Sequence, residues 1–282
     1  MPHDAITQDR YPDAIVHAVL DALTRAEARP WLIGLSGLQG SGKSTLAAQL
    51  VEMASRRGIV ALALSIDDFY FGRAARQRLA RDVHPLLATR GVPGTHDIEL
   101  LHGTLDALRA ATPRRPARVP RFDKGLDTRV APSRWHRVAR MPDLVILEGW
   151  CIGVPPQDSA ALVRPVNQLE HDEDRDALWR NWVNARLGRH YVPLWQQLDR
   201  LIMLQAPAYA VVARWRDEQE RALRRRNAPR ALTPTALKRF LMHYERLSRH
   251  ALKALPSRAD LRIVLDENRR VRRLVKSRQA FG

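Results

Sequence analysis

The sequence has 282 residues, a formal net charge of +17, a hydrophobic fraction of 45% and a single cysteine, Cys151. This composition excludes a disordered or fibrous chain and a domain held by internal disulfides, and it predicts one large α/β domain. No stretch approaches the roughly 18 apolar residues that span a bilayer, and the N-terminal segment lacks the apolar centre of a signal peptide. We therefore expect a cytoplasmic protein with no membrane partner.

The positive charge is nearly all arginine and is spread along the chain. Its densest runs, residues 221–226 and 269–273, have the character of a helix or a tail. Such a surface is more typical of composition bias than of a nucleic-acid footprint, so a nucleic-acid partner is not expected. Positive potential also suits an enzyme that binds anionic substrates. The sequence does not indicate an oligomeric state.

The predicted elements alternate between helices and buried strands. Residues 12–27 have helical spacing, with apolar side chains on one side. Continuous apolar runs predict strands over residues 31–37, 59–66, 143–150, 199–207 and 261–268. Strands of this kind, separated by helical segments, indicate a parallel sheet with helices on both faces. In such sheets ligands bind at the carboxyl ends of the strands.

Two segments interrupt this alternation. Residues 73–140 form a long, irregular stretch, and loops of this length in compact domains are usually functional or disordered. We expect this stretch to be a loop-rich insertion on the substrate side. Residues 208–250 are strongly helical and rich in arginine, which suits a mobile lid. Both segments are expected to belong to one domain over residues 1–282.

The string GLQGSGKS, residues 37–44, follows the first predicted strand and precedes a helix that begins near Lys43. Its glycines let backbone N–H groups turn inward around phosphate oxygens, and the helix adds its positive N-terminal end. Lys43 can bridge the β- and γ-phosphates, and the Ser44 hydroxyl can ligate Mg²⁺. The pattern predicts a phosphate loop for ATP and Mg²⁺, and the nucleotide site is expected to contain Gly37, Gln39, Gly40, Ser41, Gly42, Lys43, Ser44 and Thr45.

Acidic residues end two of the other predicted strands. Asp67, in SIDDFY (65–70), is our candidate for the base that orients and deprotonates an acceptor hydroxyl, with Asp68 as the alternative. Glu148, in VILEGW (145–150), could ligate Mg²⁺ or hold its water shell. Each could instead cap a turn or simply end a strand. Their position at strand ends, together with a phosphate loop, favours the functional interpretation.

These motifs resemble those of the D-glycerate 3-kinase family, in the group of P-loop kinases that includes phosphoribulokinase, uridine kinase and pantothenate kinase. The resemblance spans about residues 31–250 and rests on GLQGSGKST, SIDDFY, HPLLATRGVPGTHD, VPRFDK, VILEGWCIG, and NQLE followed by DALWRNWVN. The phosphate loop is shared by many proteins, whereas RGVPGTHD and EGWCIG are distinctive. The resemblance implies a P-loop kinase fold and the conversion of D-glycerate and Mg-ATP to phosphoglycerate, normally the 3-phosphate, and ADP.

The resemblance also implies roles for individual residues. Asp67, in an Asp-x-Phe-Tyr pattern that ends at Tyr70, resembles the base that activates the acceptor. The arginines of residues 213–226 resemble lid arginines that close over the phosphates, and Arg214 and Arg221 are candidates beside Arg216. The catalytic residues are then expected to be Lys43, Asp67, Glu148 and Arg216.

The carboxylate of glycerate favours an arginine or lysine as its partner, and hydroxyls need hydrogen-bonding groups. Pro93 and Gly94 are also a turn signal, and residues 95–97 could merely cap the helix that follows. The candidates for binding the substrate are Asp67, Asp68, Tyr70, Arg90, His96, Asp97, Arg121 and Lys124.

Three functions compete. The combined RGVPGTHD and PRFDK segments favour a glycerate kinase. The alternative is another small-molecule kinase of the same group, acting on a nucleoside, pantothenate or a sugar phosphate. The third is a nucleotide-dependent binding protein that phosphorylates no small molecule, for which strongly salt-dependent DNA affinity would be the signature. The tryptophans are expected to pack, and Cys151 is expected to be a small buried hydrophobe.

Overall fold

The computed structural model describes residues 10–24, 31–225 and 232–277. Its strands are β1 (Leu32–Gly37), β2 (Ala61–Ser65), β3 (Ala117–Val119), β4 (Phe122–Asp123), β5 (Thr128–Arg129), β6 (His136–Val138), β7 (Leu144–Gly149), β8 (Arg200–Gln205), β9 (Leu261–Leu265) and β10 (Val271–Lys276). Its helices are α1 (Asp13–Thr24), α2 (Lys43–Arg56), α3 (Arg73–Asp82), α4 (Ile98–Arg109), α5 (Ser159–Leu162), α6 (Gln168–Glu173), α7 (Leu178–Arg186), α8 (Val192–Trp195), α9 (Val211–Arg225) and α10 (Pro234–Ala254).

A six-stranded sheet in the order β10-β9-β8-β1-β7-β2 forms the centre of the fold. All its pairs are parallel except that between β9 and β10. Glu148 of β7 is in register with Leu35 of β1 on one side and with Ser65 of β2 on the other. The carboxyl ends of these three strands therefore lie side by side. The parallel sheet predicted from the sequence is confirmed.

The sheet is covered on both faces, because alternate strand residues enter different cores. In β7, Ile146 packs into a core with Leu46 of α2 and Trp215 of α9. Its neighbour Leu147 packs into a second core with Leu105 of α4. All residues of β1 and β7 are buried, as expected for the central strands of a parallel sheet. This double burial is why these strands are recognisable as continuous apolar runs.

Residues 269–273 were expected to have helical or tail character, and this expectation is wrong. Strand β10 begins at Val271 and pairs antiparallel with β9 at the edge of the sheet. Its residues are exposed or half-buried, so the segment has no continuous apolar run. Charged side chains are a common feature of edge strands because they discourage pairing with other chains. The arginines that prevented this strand from being predicted are therefore suited to an edge position.

The segment 73–140 is more regular than expected, since it contains α3, α4 and two small antiparallel sheets, β3 with β6 and β4 with β5. Helix α3 has no apolar stripe, and its buried residue is Arg76. Periodicity of apolar residues therefore could not reveal it. Helix α4 begins after Asp97, whose side chain accepts a hydrogen bond from the N–H of Leu100 at 3.0 Å. The capping function proposed for residues 95–97 is confirmed at Asp97.

The segment 208–250 is helical in its described part, where α9 and α10 pack against the sheet core. Helix α10 begins with a proline after Thr233, whose hydroxyl accepts from the N–H of Ala236. Residues 226–231 of the expected lid lie outside the described residues, as do residues 25–27 of the first predicted helix. Among the helices that the structure describes, none has the length and apolar character needed to cross a membrane.

Candidate active site

The phosphate-loop sequence forms a tight turn between β1 and α2. Gly40 and Gly42 have φ angles of 80° and 92°, a left-handed conformation that glycine adopts without steric conflict. Helix α9 also approaches Gly40 closely, because a Cβ at this position would lie 2.8 Å from the Cβ of Trp215. Helix α2 begins at Lys43, and the N–H groups of its first turn have no partners within the helix. The turn therefore presents the backbone donors of an anion site.

Buried polar atoms around this loop lack hydrogen-bond partners in the described part of the chain. They are both amide atoms of Gln39 and the hydroxyl of Ser41, on the loop itself, and the hydroxyl of Ser36 on β1. A buried polar group without a partner is unfavourable, so each such atom requires an explanation. Oxygen atoms of a bound phosphate chain would accept hydrogen bonds from the amide nitrogen of Gln39 and from the serine hydroxyls. The loop therefore fits a nucleotide by its chemistry as well as by its shape.

Lys43 lies where the loop meets the acidic strand ends. Its Nζ atom donates to the carbonyl oxygen of Leu38 at 3.1 Å. Burial lowers the pKa of Lys43, and the nearby carboxylates of Glu148 and Asp67 act in the opposite direction. Lys43, Glu148 and Asp67 therefore act on one another electrostatically. The sequence predicted a phosphate-binding role for the lysine and catalytic or metal-binding roles for the carboxylates, and the three lie in a single site.

Ser44 and Glu148 are in direct contact at the carboxyl end of β7. The Ser44 hydroxyl donates to Oε1 of Glu148 at 2.8 Å, and Glu148 is only 7% exposed. Their oxygen atoms are of the kind that Mg²⁺ prefers. No group of three or more His, Cys, Asp or Glu that could hold a metal occurs within residues 10–24, 31–225 and 232–277. A magnesium ion at this pair would therefore take further oxygen ligands from nucleotide or water.

Asp67 follows β2 in a short 3₁₀ segment and has a partner on each carboxylate oxygen. The Tyr70 hydroxyl donates to Oδ1 at 2.9 Å, and the Lys124 ammonium donates to Oδ2 at 2.6 Å. Burial alone would raise the pKa of Asp67, but Lys124 and the hydrogen bond from Tyr70 more than offset it and hold the pKa well below its usual value. Asp67 is therefore ionised at neutral pH.

Asp68 has a different environment from its neighbour. Its Oδ1 accepts a hydrogen bond from the backbone N–H of Phe122 at 2.9 Å. Burial raises the pKa of Asp68 to about 6. The exposed Arg121 also acts on this carboxylate electrostatically and lowers its pKa. Asp68 therefore attaches the chain at Phe122 to the end of β2.

The hairpin of β4 and β5 carries Lys124 to Asp67 and is fastened at its tip. Asp127, with a φ of 55°, accepts from the guanidinium groups of both Arg76 and Arg90. Arg90 also lies over the Phe122 ring, with its Cζ atom 5.7 Å from the ring centroid. Arg90, expected to bind the substrate carboxylate, is thus paired with a protein carboxylate beside the site.

The segment RGVPGTHD is packed tightly against several aromatic residues. Gly91 accepts at its carbonyl from the indole of Trp150, and a Cβ on Gly91 would lie 2.0 Å from the hydroxyl of Tyr244. Close packing against these aromatic side chains therefore explains the glycine at position 91 of this distinctive segment. Asp97, besides capping α4, forms an ion pair with Arg129 at 3.1 Å. The part that Asp97 would take in binding a substrate stays a prediction.

His96 is 2% exposed and lies beside the Asp67 site. Its ring stacks on that of Tyr70, with centroids 4.4 Å apart, and its Nδ1 atom is 2.8 Å from the hydroxyl of Tyr191. Burial lowers the pKa of His96 to about 4, opposed by the charge of Asp67. The Nε2 atom is buried and has no partner among the described residues.

The candidate arginines of α9 differ in their distance from the site. The charge of Arg216 acts on both Lys43 and Lys124, and its guanidinium is held by Gln219 and Glu220. The other two candidates point to different partners: Arg214 pairs with Glu267, and the exposed Arg221 pairs with Asp217. Of the three, Arg216 is the one that the structure brings to the phosphate loop.

Two residues of this region, Asp127 and Tyr191, were not singled out from the sequence. Asp127 lies in a polar hairpin, and Tyr191 ends the π-helical stretch Leu187–Tyr191, so neither follows a recognisable strand or motif. Cys151 is fully buried, and burial raises the pKa of its thiol, as expected for a small apolar side chain. Trp150 and Trp179 are also buried, in agreement with a packing function.

Sequence comparison identifies kinases as relatives. The chain is 34% identical over 269 residues to an uncharacterized kinase, mug58, of Schizosaccharomyces pombe, a match that covers 89% of this chain and 93% of that protein. It is 31% identical over 204 residues to the chloroplastic D-glycerate 3-kinase of Arabidopsis thaliana, covering 69% of this chain and 42% of that longer protein. No family model matches the chain.

Structural comparison agrees with the sequence relatives. The D-glycerate 3-kinase of Cryptococcus neoformans superimposes with a TM-score of 0.76 at 25% sequence identity, covering 94% of this chain and 98% of that one. These relatives are phosphate-transferring enzymes, so the kinase interpretation prevails over a nucleotide-dependent binding protein. The chain is an ATP-dependent phosphotransferase that belongs to the D-glycerate 3-kinase family of P-loop kinases.

Proposed function

We propose that this protein transfers the γ-phosphoryl group of ATP to a hydroxyl of D-glycerate, giving 3-phosphoglycerate and ADP. The observation that carries the proposal is the meeting of Lys43, the Ser44–Glu148 pair and ionised Asp67 at one edge of the sheet. A phosphate donor and a hydroxyl acceptor can approach each other there. The names of the two D-glycerate 3-kinases among the relatives support the choice of acceptor.

The phosphate loop and α2 would bind the triphosphate through backbone N–H groups, with Lys43 on the β- and γ-phosphates. The Ser44–Glu148 pair would hold Mg²⁺. When bound, the ion would neutralise charge on the phosphate oxygens. The amide nitrogen of Gln39 and the hydroxyl of Ser41 are unpaired donors for the same ligand. These roles account for polar groups that otherwise lack partners.

Asp67 would orient the acceptor hydroxyl and accept its proton. In the transfer, the hydroxyl oxygen forms a bond to the γ-phosphorus, the bond from that phosphorus to the β–γ bridging oxygen breaks, and ADP leaves with the bridging oxygen. Because the pKa of Asp67 lies well below its usual value, the carboxylate is ready to accept a hydrogen bond at neutral pH. Tyr70 and Lys124 hold it in place.

The cationic side chains around Asp67 would bind the anionic part of the acceptor. Lys124 is the nearest, and Arg90 and Arg121 lie on the same hairpin side. Asp68 would support them by attaching the hairpin. In this proposal segment 73–140 binds the acceptor and segment 208–250 acts as a lid, both within one kinase domain. Arg216 of the lid would neutralise charge on the transferred phosphoryl group. An arginine in that role is worth roughly a 10³-fold or greater rate increase.

The test is ADP release from Mg-ATP in the presence of D-glycerate, with uridine, pantothenate and ribulose 5-phosphate as alternative acceptors. We expect stimulation by D-glycerate alone, and ³¹P NMR of the product should show the 3-phosphate. Glycerol, which lacks the carboxylate, is the matched control and should not stimulate. Stimulation by another acceptor instead would support kinase activity but show that D-glycerate is not the substrate. A 2-phosphate product would overturn the choice of hydroxyl.

A further inference from the structure

The buried histidine beside Asp67 has one nitrogen paired and one unpaired. Nδ1 of His96 lies 2.8 Å from the hydroxyl oxygen of Tyr191, whereas Nε2 has no partner among the described residues. The ring stacks on Tyr70, whose hydroxyl in turn donates to Asp67. His96 is therefore one side chain removed from the proposed base. Which nitrogen carries the proton decides what His96 can offer to a ligand.

The hydrogen-bond partners of Tyr191 indicate which ring nitrogen of His96 carries the proton. Its hydroxyl oxygen accepts from the backbone N–H of Gly94 at 2.8 Å, and the backbone N–H of His96 also acts on it. Burial raises the pKa of Tyr191 well above its usual value, so the hydroxyl keeps its proton. Because the Gly94 N–H is a donor, Nδ1 of His96 is the acceptor that the described residues provide for the hydroxyl proton of Tyr191. A neutral imidazole that accepts at Nδ1 carries its own proton on Nε2.

We infer that Tyr191 holds His96 in the neutral Nε2–H tautomer and that this Nε2–H donates to an oxygen of the acceptor substrate beside Asp67. The inference rests on the proposed function and adds a substrate-touching residue, His96, and a positioning residue, Tyr191. A buried donor is satisfied only by an acceptor atom, so the site favours a small hydroxy acid with an oxygen next to the reacting hydroxyl. As a neutral donor, His96 binds this oxygen without adding charge to a region already occupied by Lys124 and Asp67.

The tautomer can be measured without any substrate. Long-range ¹H–¹⁵N spectra of histidine-labelled protein distinguish a protonated ring nitrogen from an unprotonated one, and His96→Gln assigns the signal. We expect Nε2 to be protonated in the wild type, and Tyr191→Phe to redistribute the proton between the two nitrogens. Trp195→Phe is the matched control, because the Trp195 ring packs against the Tyr191 ring while its indole N–H donates to the carbonyl of Val154 rather than to His96. It should leave the His96 signal unchanged. A proton on Nδ1 in the wild type would overturn the inference.

Kinetics then test the contact with substrate. Loss of one positioning hydrogen bond should raise the KM for the acceptor about tenfold in Tyr191→Phe, with the KM for ATP unchanged. His96→Gln places an amide nitrogen near the position of Nε2, whereas His96→Asn places one near Nδ1, so the glutamine variant should retain the lower acceptor KM. If both His96 variants raised the acceptor KM equally, or if they raised the KM for ATP as much as that for the acceptor, His96 would have only a structural role.

The two proposals fail in distinguishable ways. If D-glycerate does not stimulate ADP release, the proposed function fails, and the KM comparison is made with whichever acceptor of the panel does. The spectrum of the free protein decides the tautomer in either case. If D-glycerate is the substrate but leaves the Nε2 resonance unshifted at saturation, the contact with His96 is disproved and the proposed function stands.

Discussion

Asp67 and Asp68 are adjacent in the chain, yet their side chains have opposite electrostatic environments. Lys124 and Tyr70 keep Asp67 ionised, while burial raises the pKa of Asp68 to about 6. Both residues lie in the 3₁₀ segment that follows β2, so their order along the chain does not distinguish a base from a structural carboxylate. The different partners of the two carboxylates are what favour Asp67 as the proposed base.

We expect Asp67→Asn to lose turnover by about 10² to 10⁴-fold, the usual contribution of a positioned base, while nucleotide affinity is retained. Asp68→Asn should keep most of the activity, because an asparagine oxygen can still accept from the N–H of Phe122. Steady-state kinetics with nucleotide binding measured by calorimetry would compare the two variants. If Asp68→Asn alone abolished turnover, the base would have been assigned to the wrong aspartate.

Lys124 predicts a pH effect. Its ammonium lowers the pKa of Asp67, whereas burial works in the opposite direction. In Lys124→Met the pKa of Asp67 should therefore rise, and the base should become protonated at a higher pH than in the wild type. The acidic limb of the profile of kcat/KM against pH should move to higher pH. Arg137→Met, on the exposed strand β6, removes a charge elsewhere and should leave the limb in place. A shift in the opposite direction would contradict the pairing.

The short hairpin of β4 and β5 carries Lys124, which the proposed function assigns to acceptor binding. It is held at its base by Asp68 through Phe122 and at its tip by Asp127 through Arg76 and Arg90. Neither strand is longer than two residues, so the backbone pairing alone would not fix its position. The ion pairs at Asp127 therefore determine where Lys124 is presented to Asp67.

We expect Asp127→Asn to raise the KM for the acceptor several-fold and to leave the KM for ATP near that of the wild type. Asparagine tolerates the left-handed backbone at this position but loses the charge that pairs with buried Arg76. The same change should lower the free energy of unfolding by about 1–3 kcal/mol. Asp123→Asn is the matched control, since its side chain accepts from the N–H of Leu126 and asparagine can do the same. Equal effects of the two variants in denaturant titration and kinetics would count against the ion pairs.

Across the whole molecule, the phosphate loop joins elements that are far apart in the chain. Helix α9 touches it at Gly40, and Tyr11, just before α1, donates to the carbonyl of Ser41 at 2.7 Å. Lys43 connects the loop to the ends of β2 and β7. A ligand that binds here therefore stabilises contacts that only the folded state possesses.

Mg-ATP should accordingly raise the melting temperature of the protein. A ligand that binds only the folded state stabilises it by about 2.7 kcal/mol at 100 times its Kd. Lys43→Ala should retain the native circular dichroism spectrum, lose turnover and lose most of this stabilisation. Lys253→Ala, at the distant end of α10, should behave as the wild type. Undiminished activity in natively folded Lys43→Ala would contradict the function assigned to the lysine.

The sequence alone determined the parts of this protein that depend on local chemistry. Strands β1 and β7 are buried on both faces, so their residues had to be apolar, and the loop at Gly40 and Gly42 needs glycine for its left-handed backbone. These constraints act within a few residues and are therefore visible in the order of residues. The carboxylates at the ends of β2 and β7 could be located for the same reason.

The tertiary structure decided what depends on residues distant in the chain. The edge strand β10 and helix α3 are stabilised by neighbours rather than by an apolar pattern of their own, so periodicity did not reveal them. Asp67 acquires its low pKa from Lys124, which is 57 positions away, and the Nδ1 atom of His96 contacts the hydroxyl of Tyr191, which is 95 positions away. Charge and hydrogen-bond partners act through space, and only the folded chain brings these groups within a few ångströms of one another.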